Sequence, residues 1–213
     1  MSDQYALGGV IPWSDAFTMQ LNTQRFLYGG QMGQATALRP LSTVFYAVFL
    51  RLSGNNYFAL QLFLCVLTAL CLLYLLETVN KTFGSICGAI SFTILYYYIR
   101  KRFGTFMTEP YGFICGILSC QLFLTGIRKK KQLPMFAGFM LLSIGLNARP
   151  AAMFLFPAAG LWYFFCFLKG NKKRFFLAAA ALLAMLSGFI LNQAAQTAVY
   201  GNDSIPNRQA AEM

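Results

Sequence analysis

The chain contains no histidine, and only six acidic residues stand against 17 lysines and arginines. Its six cysteines, Cys65, Cys71, Cys87, Cys115, Cys120 and Cys166, all fall inside apolar segments and show no CxxC spacing. Neither a His or Cys metal centre nor a disulfide framework is expected from such a set. Also absent are a GxxxxGK[ST] phosphate loop, a GxGxxG following a strand, HExxH, and any polar stretch large enough for a soluble nucleotide-binding domain. A sugar or phosphoryl donor, if one is used, has to enter from the lipid phase. The first residues lack the basic and apolar regions of a signal peptide, so membrane insertion is expected to depend on internal helices.

What the chain does have is apolar surface: 58% of its residues are hydrophobic, 16% aromatic and 11% charged. Several runs approach the roughly 20 helical residues that a bilayer crossing needs, which predicts an all-α, polytopic membrane protein. The net charge of +11 raises the question of nucleic acid. The basic residues, however, lie in short clusters between apolar runs, without a groove or stacking platform, so no nucleic-acid partner is expected. Sorting of positive charge to the cytoplasmic side accounts for the clusters better.

The longest polar interval runs from Ile11 to Pro40 and holds Asp15, Arg25 and Arg39. Apolar residues from Ala16 to Leu27 recur at helical intervals, predicting a short interfacial helix over 15–27 that stops at Gly29-Gly30. The segment 41–53 is apolar but short: about 13 residues give about 20 Å, against a hydrocarbon core of about 30 Å. It is read as a second juxtamembrane helix. Six crossings then follow, at about Tyr57 to Leu76, Gly84 to Tyr98, Tyr111 to Ile127, Pro134 to Leu146, Ala151 to Leu168 and Phe175 to Gln193. This divides the chain into an outer loop with interfacial helices (1–56), a transmembrane helical domain (57–194) and a polar tail (195–213).

Clusters 128–131 and 169–174 are separated by one hairpin and so share a side, which the positive-inside rule makes cytoplasmic, with Lys81 on it. Counting back puts Glu109 and Arg149 outside, and Asp15 and Arg39 join them if 41–53 does not cross. Arg100-Lys101-Arg102 also lands outside, either as a solvated helix end or as an attractor for lipid phosphates. Two GxxxG motifs, Gly84/Gly88 and Gly112/Gly116, read as helix-packing positions.

A charge directly precedes proline at the start of an apolar run three times: Arg39-Pro40, Glu109-Pro110 and Arg149-Pro150. Proline suits the first helical turn, so each charge is pinned at a helix mouth. With Asp15 these residues would supply two carboxylates and two guanidiniums to one outer cavity. Each has a plainer reading as well: arginines at helix ends snorkel to headgroups, and an acid at a helix amino terminus is stabilised by the macrodipole. Arg149, inside LLSIGLNARPAAMFLF, stands where a charge is costly and so suggests function.

The succession PWSDAFTM, GG, ALRPL, a short helix ending in LSG, a long helix, MTEP and NARP resembles the amino-terminal half of the GT-C glycosyltransferases. Within them it is most similar to the bacterial branch related to protein mannosyltransferases and aminoarabinose transferases, over about Gly8 to Leu168. The resemblance implies a cell-membrane enzyme with a GT-C-like core that moves a sugar from a polyprenyl-phosphate carrier to an outer-face acceptor: a cell-envelope glycan, lipid or protein. It makes Asp15 the general base for the acceptor hydroxyl. Glu109 is the second acid, which orients the sugar or acceptor or helps hold a divalent cation. Arg39 and Arg149 stabilise the departing phosphate. Two carboxylates without histidine suit Mg or Mn, although the family does not always use a metal. Members normally have a helix before the first outer loop and further helices after this span, so the chain is expected to be a truncated product or a fragment. Two rival readings are a transporter or flippase component using Arg149 in a substrate path, and a non-catalytic remnant or scaffold.

Overall fold

The computed structural model describes residues 5–6, 11–12, 15–30, 32–33, 40–100, 102, 106–147 and 155–200; at 5, 6, 11, 12, 15, 199 and 200 the description is of the backbone alone. Among the described residues the fold is all-helical, apart from an antiparallel pairing of β1 (Tyr5–Ala6) with β2 (Ile11–Pro12). Eight α-helices follow among these residues: α1 (Asp15–Leu27), α2 (Pro40–Leu52), α3 (Tyr57–Phe83), α4 (Ser85–Ile99), α5 (Thr108–Lys129), α6 (Gln132–Leu146), α7 (Leu155–Trp162) and α8 (Arg174–Tyr200). A π-helical turn, Tyr163–Phe167, continues α7.

Among the described residues three helices are long and apolar enough to cross a membrane: α3, α5 and α8. They coincide with three of the six expected crossings. The other three fall on shorter apolar helices, α4, α6 and the segment Leu155–Phe167. All these helices leave large apolar side chains outward, such as Leu62 and Leu73 on α3 and Leu183 and Ile190 on α8. Apolar surface on this scale marks a membrane-facing wall.

Local chemistry explains where the helices stop. Gly29 takes φ +73° after α1 while the amide of Gly30 donates to the Arg25 carbonyl at 2.7 Å, a closure that a glycine with positive φ permits. The Asn56 side chain accepts from the Ala59 amide at 3.1 Å and so caps α3. Pro40 and Pro110 both sit in the first turn of their helices, as the sequence predicts.

α5 and α6 form an antiparallel pair: the Tyr111 hydroxyl donates to the Ile144 carbonyl at 3.3 Å, and Ser119 Oγ to the Gly138 carbonyl at 2.8 Å. α6 also packs against α8, where the Gly188 amide donates to Ser143 Oγ at 3.1 Å. One close approach falls inside an expected motif, where a Cβ on Gly88 would lie 2.7 Å from Asn80 Cγ of α3, and others fall outside the motifs. A Cβ on Gly188 would lie 2.6 Å from the Ser143 carbonyl carbon, and one on Gly145 would lie 2.7 Å from Cys115 Cβ. Gly84, by contrast, turns the chain between α3 and α4 at φ +90°, and Gly116 has nothing within 4 Å of an added Cβ. The GxxxG packing reading therefore holds for Gly88 and for Gly112, where an added Cβ would meet the Gly145 carbonyl oxygen at 3.8 Å, whereas Gly84 is a turn residue and Gly116 borders open space.

The bundle has two chemically different ends. Tyr163 donates to Gln132 Oε1 at 2.6 Å, so the residues following cluster 128–131 and those preceding cluster 169–174 meet. Both clusters lie at one end. Glu109 opens α5 at the other.

Candidate functional site

At the Glu109 end, one apolar cluster holds Met19 of α1, Tyr46 and Leu50 of α2, Leu60 and Leu64 of α3, Phe106, and Tyr111 and Cys115 of α5. α2 stays at this end. Its buried face meets α1 and the first turns of α3 and α5, and Phe49 stacks on Phe63 with centroids 4.3 Å apart. Asp15 begins α1 one turn before Met19, whose Sδ accepts from Thr43 Oγ1 at 3.3 Å. The backbone start of α1 is thereby joined, through shared packing, to the start of α5.

Glu109 lies in the first turn of α5, where the macrodipole favours a carboxylate. Its side chain is only 6% exposed, and Arg102 Nε stands 3.7 Å from Oε1. Thr108 Oγ1 donates to Oε2 at 3.3 Å. The Arg102 guanidinium also lies over the Tyr98 ring, 5.6 Å from its centroid. Ring, cation and carboxylate thus form a layer in which the cation offsets the cost of burying the acid. Tyr46, fully buried, donates its hydroxyl to the Met107 carbonyl immediately before α5. Burial pushes the Tyr46 phenol above its ordinary value, and the charge of Glu109 acts in the same direction. The phenol therefore stays protonated and holds α2 to the mouth of α5.

Beside Glu109 opens a cavity of about 390 Å³, lined by Tyr98, Thr108, Gly112, Gly116 and apolar residues of α3, α4, α6 and α7. A second cavity of about 600 Å³ shares Leu75, Leu95, Cys120, Leu142 and Leu155 with the first and reaches Ile127. Together they make a groove along α5 that is apolar for most of its length. From Glu109 to Ile127 it spans about 27 Å of helix rise. Gly112 and Gly116 widen it because no side chain projects there. Such a groove suits an amphiphile with a long apolar tail and a polar head.

Of the four residues singled out in the sequence, Glu109 is buried at this site, and Asp15 is at the backbone start of a helix packed into it. Arg39 and Arg149 lie outside the described residues. Their described neighbours, Pro40 at the start of α2 and Asn147 after α6, are both buried. Arg102 is the residue whose role was missed. Its side chain is 39% exposed just past the end of α4 and also stands 3.7 Å from Glu109 Oε1, a pairing that neither reading of the basic cluster foresaw. Its signal was the IRKRF run ahead of MTEP, but a sequence does not show that the chain reverses so that position 102 faces 109. Tyr46 gave no signal, since its sequence context is that of any apolar helix. Among the described residues no three His, Cys, Asp or Glu side chains converge.

In comparisons with known proteins no family model, curated protein or solved structure matches the chain.

Proposed function

We propose that this chain carries the donor-side site of a GT-C-like membrane glycosyltransferase, which moves a sugar from a polyprenyl phosphate to an acceptor at the outer membrane face. The observation that carries the reading is one juxtaposition. A buried carboxylate paired with an arginine stands at the head of a long apolar groove, beside the helix that Asp15 begins. A groove of this kind accommodates the prenyl chain while the phosphate-linked sugar meets the polar end.

In the proposed reaction, Asp15 takes the proton of the acceptor hydroxyl as its oxygen attacks the anomeric carbon. The bond from that carbon to the phosphate oxygen breaks, and the electron pair leaves with the polyprenyl phosphate. Arg39 and Arg149 neutralise the growing charge. Arg102 keeps Glu109 in position to orient the sugar or acceptor. Asp15 and Glu109 also supply the hard oxygens that Mg or Mn takes; loss of transfer in chelator, restored by Mg, distinguishes cation holding from sugar orientation. In this reading α3, α4, α5, α6, the α7 segment and α8 cross the membrane six times, α1 and α2 lie along its outer surface, and the two large basic clusters face the cytoplasm.

The test is transfer of radiolabelled sugar from polyprenyl phosphate in membranes. Asp15→Asn is expected to abolish it while the protein remains inserted. Wild-type transfer by this variant would remove Asp15 from the mechanism, and accumulation of a trapped cytoplasmic solute in a deletion strain would favour transport instead.

A further inference from the structure

At the end opposite Glu109, two features meet that the sugar-transfer reading does not use. The first is charge. The Tyr163 to Gln132 hydrogen bond draws together the chain segments that carry Arg128 to Lys131 and Lys169 to Arg174, giving eight cations where the sequence shows two separate clusters. Glu77, the acid described at this end, is already paired with Lys81.

The second is shape. Between α7 and α8 runs a furrow of about 690 Å³ with no charged residue in its lining. It extends along α8 from Ala178 to Phe189, about 17 Å of helix rise. One leaflet of a hydrocarbon core is about 15 Å deep, so the furrow is as long as a leaflet-spanning acyl chain needs. Phe164 joins the two features. It lines the furrow, and the Arg174 guanidinium lies over its ring, 5.5 Å from the centroid. The cations therefore stand at the mouth of the furrow.

We infer that the α7–α8 furrow and the Lys169 to Arg174 turn form a binding site for an anionic glycerophospholipid, with an acyl chain in the furrow and the phosphate at Lys172, Lys173 and Arg174. Charge complementarity selects this occupant: a zwitterionic lipid fills the furrow equally well but leaves the cations unneutralised, and a second protein copy would have to bring acids to the same place. The inference rests on the membrane reading of α8 and is independent of sugar transfer.

Trp162 lies in the chain between the furrow residues Leu161 and Tyr163 and itself borders the groove along α5. It is the reporter once Trp13, the other tryptophan, is replaced by phenylalanine, and a furrow variant separates the two cavities. The full chain is placed in nanodiscs of phosphatidylcholine doped with chain-brominated phosphatidylglycerol or chain-brominated phosphatidylcholine, and Trp162 quenching is followed. Quenching by phosphatidylglycerol is expected to saturate at low mole fraction, whereas phosphatidylcholine quenches only in proportion to its amount. Replacing Lys172, Lys173 and Arg174 together by glutamine should raise the half-saturating fraction on the order of 100-fold, since each cation near a lipid surface contributes about fivefold. Lys172→Arg with Lys173→Arg should retain saturation. Gly160→Leu, which grows into the furrow and leaves the cations intact, should abolish it. Equal quenching by the two lipids in the Trp13→Phe protein, or saturation that survives loss of the three cations, overturns the site. Saturation governed by protein-to-lipid ratio identifies a second copy as the occupant and overturns it too.

Discussion

Arg102 Nε lies 3.7 Å from Glu109 Oε1 across a large difference in exposure, the arginine side chain being 39% exposed and the glutamate 6%. The acid is held by the protein, and the cation is placed between it and the surroundings. Removing the cation leaves a buried carboxylate poorly compensated. Arg102→Gln is expected to destabilise the protein by about 1 kcal/mol, the partial exposure of the arginine limiting the loss. Combined with Glu109→Gln, the effects should fall short of additivity by about 0.5–1 kcal/mol. Reversible unfolding of the four proteins in mixed micelles measures this coupling, and strict additivity would show that the two groups do not interact.

Tyr46→Phe removes the hydroxyl that ties α2 to the Met107 carbonyl in a fully buried setting. The expected cost is about 1–2 kcal/mol, because the carbonyl loses its partner. Hydrogen exchange should speed up in α2 and at the start of α5, and remain unchanged in the distant turn at 169–173. Uniform acceleration would point to a global loss instead.

The glycines divide into two groups that respond oppositely to alanine. At Gly188 a new Cβ meets the Ser143 backbone, which has no flexible end to move aside. A loss of about 1–3 kcal/mol is expected from overpacking. Gly116 has open space, and alanine there should be neutral or stabilise α5 by up to about 1 kcal/mol. Gly116→Leu should fold as well but narrow the groove, raising the KM for the lipid-linked donor with little change in kcat. Melting curves for the alanine variants and donor titrations for the leucine variant check both halves.

Single cysteines in a background freed of the native six test the end-to-end arrangement. Ser14→Cys, Leu52→Cys and Thr108→Cys are expected to react with an impermeant maleimide from one face of the membrane, and Lys130→Cys and Asn171→Cys from the other. Opposite labelling of positions 14 and 108 would mean that α2 crosses, and the shared site of Asp15 and Glu109 would be lost.

Much of this protein is written in local chemistry that a sequence displays directly. Apolar runs, proline in first turns and glycine pairs at helix ends predict α1 and α2 almost to the residue, because each signal acts within one or two turns of the chain. They also locate the stretches occupied by the longer helices. The scarcity of acids makes Glu109 conspicuous, and the Pro110 that follows it predicts its place at a helix mouth. What needed tertiary structure were the relations between residues far apart or on opposite sides of a turn. Arg102 looked like part of a basic cluster until the chain reversal set it against Glu109. All four GxxxG glycines looked like helix contacts; Gly88 does lie tight against Asn80 and Gly112 faces the Gly145 carbonyl, but Gly116 borders a groove. The basic clusters at 128–131 and 169–174 were already expected on one side, but the apolar furrow beside them appears only when Tyr163 packs against Gln132 and Phe139 of α6 and α7 lies along α8. Charge and hydropathy are properties of each residue, whereas pairing and cavities depend on which surfaces are left facing each other after packing.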